Sequence, residues 1–252
     1  MNRIHRLVCL VVVLMLAGGP ARAVDPPPAA PRDVLLLGGT GGLGAEIARR
    51  LVARGDRVTV FTRPGSDRAR LANLPVTYVE GDLLNAPDVA AAFRDRRFGY
   101  VVVAVRVEDG DPRFYATFLP ALTTAAKAAG VTHLVHHGAV GAGRNAEKFP
   151  GLGWERVPGL LDRLKDQGTG EDIIRESGVP FTIIRNTRLW PDGTPATGKA
   201  VLTEDDTVIN AMTRADLADL TLACLGNPAC LGKTYHVRDG SLAWPPPRPP
   251  GG

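Results

Sequence analysis

Seven consecutive residues, Gly38-Gly39-Thr40-Gly41-Gly42-Leu43-Gly44, combine residue types suited to receiving a phosphate on bare backbone amides. A pyrophosphate reaches the N–H groups at a helix start only where no Cβ blocks the approach, and the tight turn before it needs φ values that glycine tolerates. Gly38, Gly41 and Gly44 follow a G-x-x-G-x-x-G spacing, and Gly39 to Gly44 also satisfies the looser G-x-G-x-x-G of dinucleotide sites. About 20 residues on, NAD-selective proteins carry an acid for the ribose 2′-hydroxyl. This chain reads Phe61-Thr62-Arg63-Pro64-Gly65-Ser66 there, with no carboxylate. Arg63 can pair a 2′-phosphate, which favours NADP over NAD. Gly38, Thr40, Gly41, Gly42, Leu43, Gly44 and Arg63 are therefore the first candidate cofactor-binding residues.

Such a loop works only between a strand and a helix, and both are legible. Asp33-Val34-Leu35-Leu36-Leu37 is a short apolar run of the kind buried on both faces of a parallel sheet. After the glycines, Leu43, Ile47 and Leu51 recur at four-residue intervals while Glu46, Arg49, Arg50 and Arg54 take the other faces, as an amphipathic helix requires, and Gly55 ends it. Further strands read as Val58 to Phe61, Val76 to Val79, Tyr100 to Val105, Leu134 to His136 and Phe181 to Ile184, separated by helical patterns such as Ala86 to Phe93 and Phe118 to Ala129. Strand and helix alternating in this way imply right-handed crossovers and an α/β, doubly wound parallel sheet, Rossmann-like, with a small C-terminal substrate lobe. Ligands of such sheets bind at the carboxyl ends of the strands. Lining for a small-molecule acceptor is expected from the stretch 141–159, with Phe149 and Trp154, and from Asn186 to Trp190.

The ends read differently from the body. Residues 1–23 resemble a secretory leader: Arg3, His5 and Arg6, an apolar run from Leu7 to Ala17, then Ala21-Arg22-Ala23 as a small-x-small cleavage site. That run is shorter than the roughly 20 apolar residues a membrane span needs, so no stable span is expected once the leader is cleaved. Processing implies export; translation from Met15 would instead keep the chain in the cytoplasm. Proline-rich stretches at 24–32 and 240–252 frame a single domain over 33–239. The whole chain has 30 basic and 26 acidic residues, but the leader takes Arg3, Arg6 and Arg22 with it, leaving 27 against 26. A broad basic surface for nucleic acid thereby loses its main support, and no nucleic-acid partner is expected. Of the three cysteines Cys9 lies in the leader, and Cys224 and Cys230 can either bridge or stay as free thiols.

On Gly38 to Gly44, Val58-Thr59-Val60-Phe61-Thr62-Arg63, Val79-Glu80-Gly81-Asp82-Leu83, the segment Arg175 to Arg185 and Thr213-Arg214-Ala215-Asp216-Leu217-Ala218, the chain resembles the atypical short-chain dehydrogenases/reductases of the NmrA-like, NAD(P)-binding kind. Within these it is similar to the biliverdin reductase B/flavin reductase type. The resemblance implies that Asp82 and Leu83 flank the adenine and that Ala104 and Val105 lie along the cofactor. From the residues alone, Gly81-Asp82 reads equally well as a plain turn. The family's usual Tyr-x-x-x-Lys pair is absent, since none of Tyr78, Tyr100, Tyr115 and Tyr235 precedes a lysine by four. The helix expected to carry it is instead glycine-rich at Gly168 and Gly170. His137 stands near the position where relatives carry serine and is a candidate proton donor. Hydride transfer to a flavin, quinone or carbonyl-type acceptor depends chiefly on placing donor and acceptor, so an NADPH-dependent reductase survives the loss. The alternatives are a non-catalytic NADP(H) sensor or a scaffold that keeps the fold.

Overall fold

The computed structural model describes residues 32–106 and 112–243; the leader, most of the proline-rich linker and residues 244–252 of the tail lie outside the described residues. β1 (Asp33–Leu37) runs into the glycine turn and α1 (Gly42–Ala53), and the chain then lays down β2 (Arg57–Thr62), β3 (Thr77–Glu80), α2 (Ala86–Ala91) and β4 (Tyr100–Val103). The second half adds α3 (Phe114–Ala128), β5 (His133–Ala139), α4 (Leu160–Glu176), β6 (Phe181–Asn186), β7 (Val201–Thr203), α5 (Arg214–Cys224) and β8 (Lys233–Arg238). The strands form one sheet in the order β3-β2-β1-β4-β5-β6-β8-β7. Every pairing is parallel except that of β7 with β8.

Period-two alternation along β1 explains how an unbroken apolar run is used. Leu35 and Leu37 enter a layer shared with Phe118, Leu119 and Leu122 of α3 and Ile174 of α4. Val34 and Leu36 face the other way, against Ile47 and Leu51 of α1 and Leu217 and Ala218 of α5. Helices therefore cover both sheet faces, and the sheet's carboxyl edge is left to loops.

Two local outcomes differ from the sequence pattern, at the end of β4 and in the C-terminal lobe, while the glycine-rich helix forms as expected. β4 ends at Val103: Ala104 N–H makes the last bond to β1, to Leu37 O at 2.9 Å, and the backbone beyond it packs on the glycine turn. The glycine-rich stretch 164–172 lies inside α4, and its glycines allow close packing. A Cβ on Gly168 would come within 2.4 Å of Gly143 Cα, and one on Gly170 within 2.8 Å of Tyr115 Cβ. The expected C-terminal lobe is built largely onto the sheet, since β8 pairs with β6 and carries β7 on its far side. What rises above the strand ends is the loop of residues 187–200. Buried Asp216 holds that loop by accepting from Thr197 N and Gly198 N, each at 2.9 Å. Cys224 and Cys230 form a disulfide at the end of α5.

Candidate functional site

The glycine turn joins the first strand to the first helix through contacts that only hydrogen side chains permit. Gly38 has φ +80°, and a Cβ there would meet Ala104 O at 2.5 Å. Gly44 is buried against the same turn, where a Cβ would fall 2.1 Å from Gly38 O. These two glycines are structural: they draw β1, α1 and the end of β4 together. Gly41 differs. It is exposed, has an ordinary φ of −76°, and a Cβ on it would meet nothing nearer than Gly38 O at 3.4 Å. It is the N-cap of α1 yet supplies no side-chain cap, and the first helical turn contains no acid. The first amides of α1 have no partner within the helix and the positive end of the helix dipole lies behind them, an arrangement that suits an anion. Thr40, Gly42 and Leu43 share this turn and are partly exposed.

Arg63 leaves β2 one residue after Thr62, is exposed, and pairs with no carboxylate of the described residues. Its neighbour Arg68 is committed, lying 4.2 Å from the Tyr78 ring centroid and ion-paired with Glu80. Gly81 N–H donates to Thr62 O at 3.0 Å, so Asp82 and Leu83 leave the sheet at the same level as Arg63. The Asp82 carboxylate accepts from Leu84 N at 2.9 Å, which closes its own turn, while Leu83 packs into the core below. Ala104 and Val105 follow β4 at the adjoining edge, where Val105 O accepts from the Tyr115 hydroxyl at 3.0 Å. The candidate residues therefore converge along the carboxyl ends of β1, β2, β3 and β4.

The histidine candidate does not join them. His137 points under α5, shares a 3.0 Å hydrogen bond with Thr221 Oγ1, and is pushed down by burial to a pKa of about 4. A neutral imidazole sealed in the core cannot donate a proton near neutral pH. His136, on the other face, is pushed to about 3 by burial and then by the neighbouring His137 and Arg175. Tyr115 goes the opposite way, raised well above the usual phenol range by burial and the Asp166 charge, so it holds its proton at all working pH values. Phe149 and Trp154 also serve packing: Phe149 is buried, its ring centroid lies 5.7 Å from that of Trp154, and Trp154 fills the space beside Gly141.

Three residues without a sequence-derived role stand beside the glycine turn. Asp192, on the loop after β6, receives Arg70 Nη2 at 2.7 Å and lies 2.9 Å from Arg214 Nε. Arg214 opens α5 and also donates to Trp190 O. A Cβ on Gly42 would meet Asp192 Oδ1 at 2.7 Å and Arg214 Nε at 2.9 Å. Arg214 could have been noticed in the Thr213–Ala218 motif; Asp192 and Arg70 carried no pattern at all. No group of described residues has the composition to hold a metal ion, and no helix among them is long and apolar enough to cross a membrane.

A family model described as NAD(P)H-binding matches residues 38–228, from the first glycine of the turn to the loop after α5. The chain belongs to that NAD(P)H-binding family. This NAD(P)H-binding protein is similar to sterol demethylase protein B of Methylococcus capsulatus, at 29% identity over 190 residues, which covers 67% of this chain and 56% of that one. It is similar also to a (4-alkanoyl-5-oxo-2,5-dihydrofuran-3-yl)methyl phosphate reductase of Streptomyces griseus, at 27% identity over 81% of this chain and 67% of that one. Among solved structures, ChuY, an anaerobillin reductase from Escherichia coli O157:H7, matches with a TM-score of 0.71 at 20% identity over 84% of this chain and 98% of that one. A short-chain dehydrogenase/reductase from Veillonella parvula, solved with NADP, matches with a TM-score of 0.68 at 15% identity over 86% and 98%. At these identities the solved structures show a shared Rossmann-like fold. The uncapped amides of α1 and the narrow glycine turn fit the dinucleotide that the family binds.

Proposed function

We propose that this NAD(P)H-binding protein is an NADPH-dependent reductase that passes hydride to a flavin-, quinone- or carbonyl-type small molecule without the Tyr-x-x-x-Lys pair. The observation that carries this is the cradle at the start of α1, whose open amides and absent Cβ atoms suit a diphosphate. In this reading Gly41, Gly42 and Leu43 receive the diphosphate, Arg63 receives the 2′-phosphate, Asp82 and Leu83 border the adenine, and Ala104 and Val105 line the path toward the nicotinamide. The guanidinium of Arg63, exposed and paired with no carboxylate of the described residues, supports NADP over NAD. When bound, the reduced nicotinamide supplies the hydride. The protein's part is to orient the donor, shape the acceptor's seat at the sheet edge and exclude water from it.

The state of the candidate donors among the described residues narrows the acceptor. The candidate histidines are neutral and buried, and Tyr115 is held protonated with its hydroxyl given to a backbone carbonyl. A conjugated acceptor that stabilises the added electron pair and takes its proton from water suits such a site better than an isolated ketone. Relatives named as reductases of a bilin and of an unsaturated furanone phosphate support the same class. The test is to mix the purified chain with NADPH and follow loss of reduced-nicotinamide absorbance with flavin, quinone and carbonyl acceptors. Turnover with the first two is expected. Binding of NADPH without turnover across the panel would make the chain a sensor instead.

A further inference from the structure

The start of α1 is open to solvent in its own helix yet is covered from elsewhere. The loop after β6 turns at Trp190-Pro191-Asp192-Gly193, anchored by Trp190 N donating to Met212 O at 2.9 Å, and sets the Asp192 carboxylate beside Gly42. Two guanidiniums from distant parts of the chain, Arg70 and Arg214, meet on that one carboxylate. Arg106 lies close enough to act on Arg214 as well: burial first, then Arg106 and Arg70, depress the Arg214 pKa against the support of Asp192. Two guanidiniums thus share a single carboxylate at the positive end of a helix. An oxygen 2.7 Å from the place a Gly42 Cβ would take leaves no room for a phosphate oxygen on that side.

We propose that Asp192 stands in for a phosphate at the start of α1, and that an incoming dinucleotide displaces it and takes over Arg70 and Arg214. The inference rests on the dinucleotide reading above and adds two binding residues and a competing internal ligand to it. The exchange is favourable in kind, because a diphosphate brings two charges where the carboxylate brings one, and guanidinium binds both through the same fork. It is also easily made. Asp192 and Arg70 are each 47% exposed, so their pair is weak and its partners are free to change. Arg214, at 22%, is held in place by Trp190 O and does not need Asp192 to stay there.

Calorimetric titration of the full chain with NADPH and with NADH tests this. Asp192→Asn removes the competitor and should tighten both nucleotides about three- to tenfold, the range that two part-exposed ion pairs can hold. Arg214→Gln should weaken both by about tenfold, since the diphosphate is common to them. Asp219→Asn is the control: it removes the same charge from α5, where Asp219 pairs with Arg50 two turns along α1, and should leave affinity unchanged. If the unaltered chain binds and Asp192→Asn binds no tighter, or Asp219→Asn tightens as much, or Arg214→Gln has no effect, the stand-in is overturned while the dinucleotide reading stands. If no form binds either nucleotide, both are overturned.

Discussion

Three histidines lie in the middle of the sheet or at its margin with almost no solvent contact, and acidification should unfold the protein through them. His133, His136 and His137 are at most 5% exposed, and burial holds their pKa values near 4, 3 and 4 against an ordinary 6.5. His236 shifts in the same direction, again chiefly by burial. Below about pH 6.5 the unfolded chain takes up protons that the folded chain refuses, so stability is intact above that value and falls as the pH drops toward the folded values. At about pH 5 each of the three sites costs about 2 kcal/mol, or about 6 kcal/mol together. That is comparable to the whole stability of an ordinary domain, about 5–15 kcal/mol. It corresponds to a fall in Tm of about 10–20 °C from the value at about pH 8. His136 isolates the cause best, because it is fully buried and burial is the largest influence on it. His136→Leu should therefore lose about 4 kcal/mol over the same interval instead of about 6. Denaturant melts followed by circular dichroism at a series of pH values measure both slopes. A variant with the slope of the unaltered chain, or an unaltered chain equally stable at both pH values, would refute the reasoning.

The other predictions concern charge. Glu171 is fully buried on α4 and accepts Arg185 through contacts of 2.6 and 3.0 Å and Arg175 at 2.8 Å; Arg175 keeps Asp172 at 2.8 Å, but Glu171→Gln leaves the buried Arg185 guanidinium without a carboxylate and should cost about 3 kcal/mol in a thermal melt. Arg63→Ala should weaken NADPH by about 10- to 100-fold while leaving NADH nearly unchanged, the difference one charge-assisted phosphate contact makes in a binding titration. Equal losses for both nucleotides would remove Arg63 from the 2′-phosphate.

How far the sequence could be read depended on whether a signal was local. The glycine turn, β1 and α1 follow from neighbouring residues, because a turn needing bare amides and a run buried on both faces leave their mark within a dozen positions. Of the edge formed by Arg63, Asp82 and Ala104, only Arg63 was legible from the residues themselves, directly after the second strand; Asp82 and Ala104 enter through the family resemblance. The roles of His137 and of Asp192 were not. Whether a β5 side chain faces the crevice or the α5 layer is decided by pleat parity, which sets His137 on the side of Thr221. Asp192, Arg70 and Arg214 meet across 122 and about 20 residues of chain, a juxtaposition only the packed sheet creates. The same holds for the glycines of α4, whose contact partners Gly143 and Tyr115 lie elsewhere in the chain.

Gly41 offers the most direct test of the dinucleotide cradle, because the fold has room for a methyl group there and a bound diphosphate does not. Its φ of −76° and the 3.4 Å clearance that a Cβ at this position would keep from Gly38 O mean that Gly41→Ala should melt like the unaltered chain. Titrated with NADPH, the unaltered chain should bind and Gly41→Ala should bind at least about tenfold more weakly, the methyl blocking approach to the amides. Equal affinity in the two proteins, or no binding by either, would contradict the account.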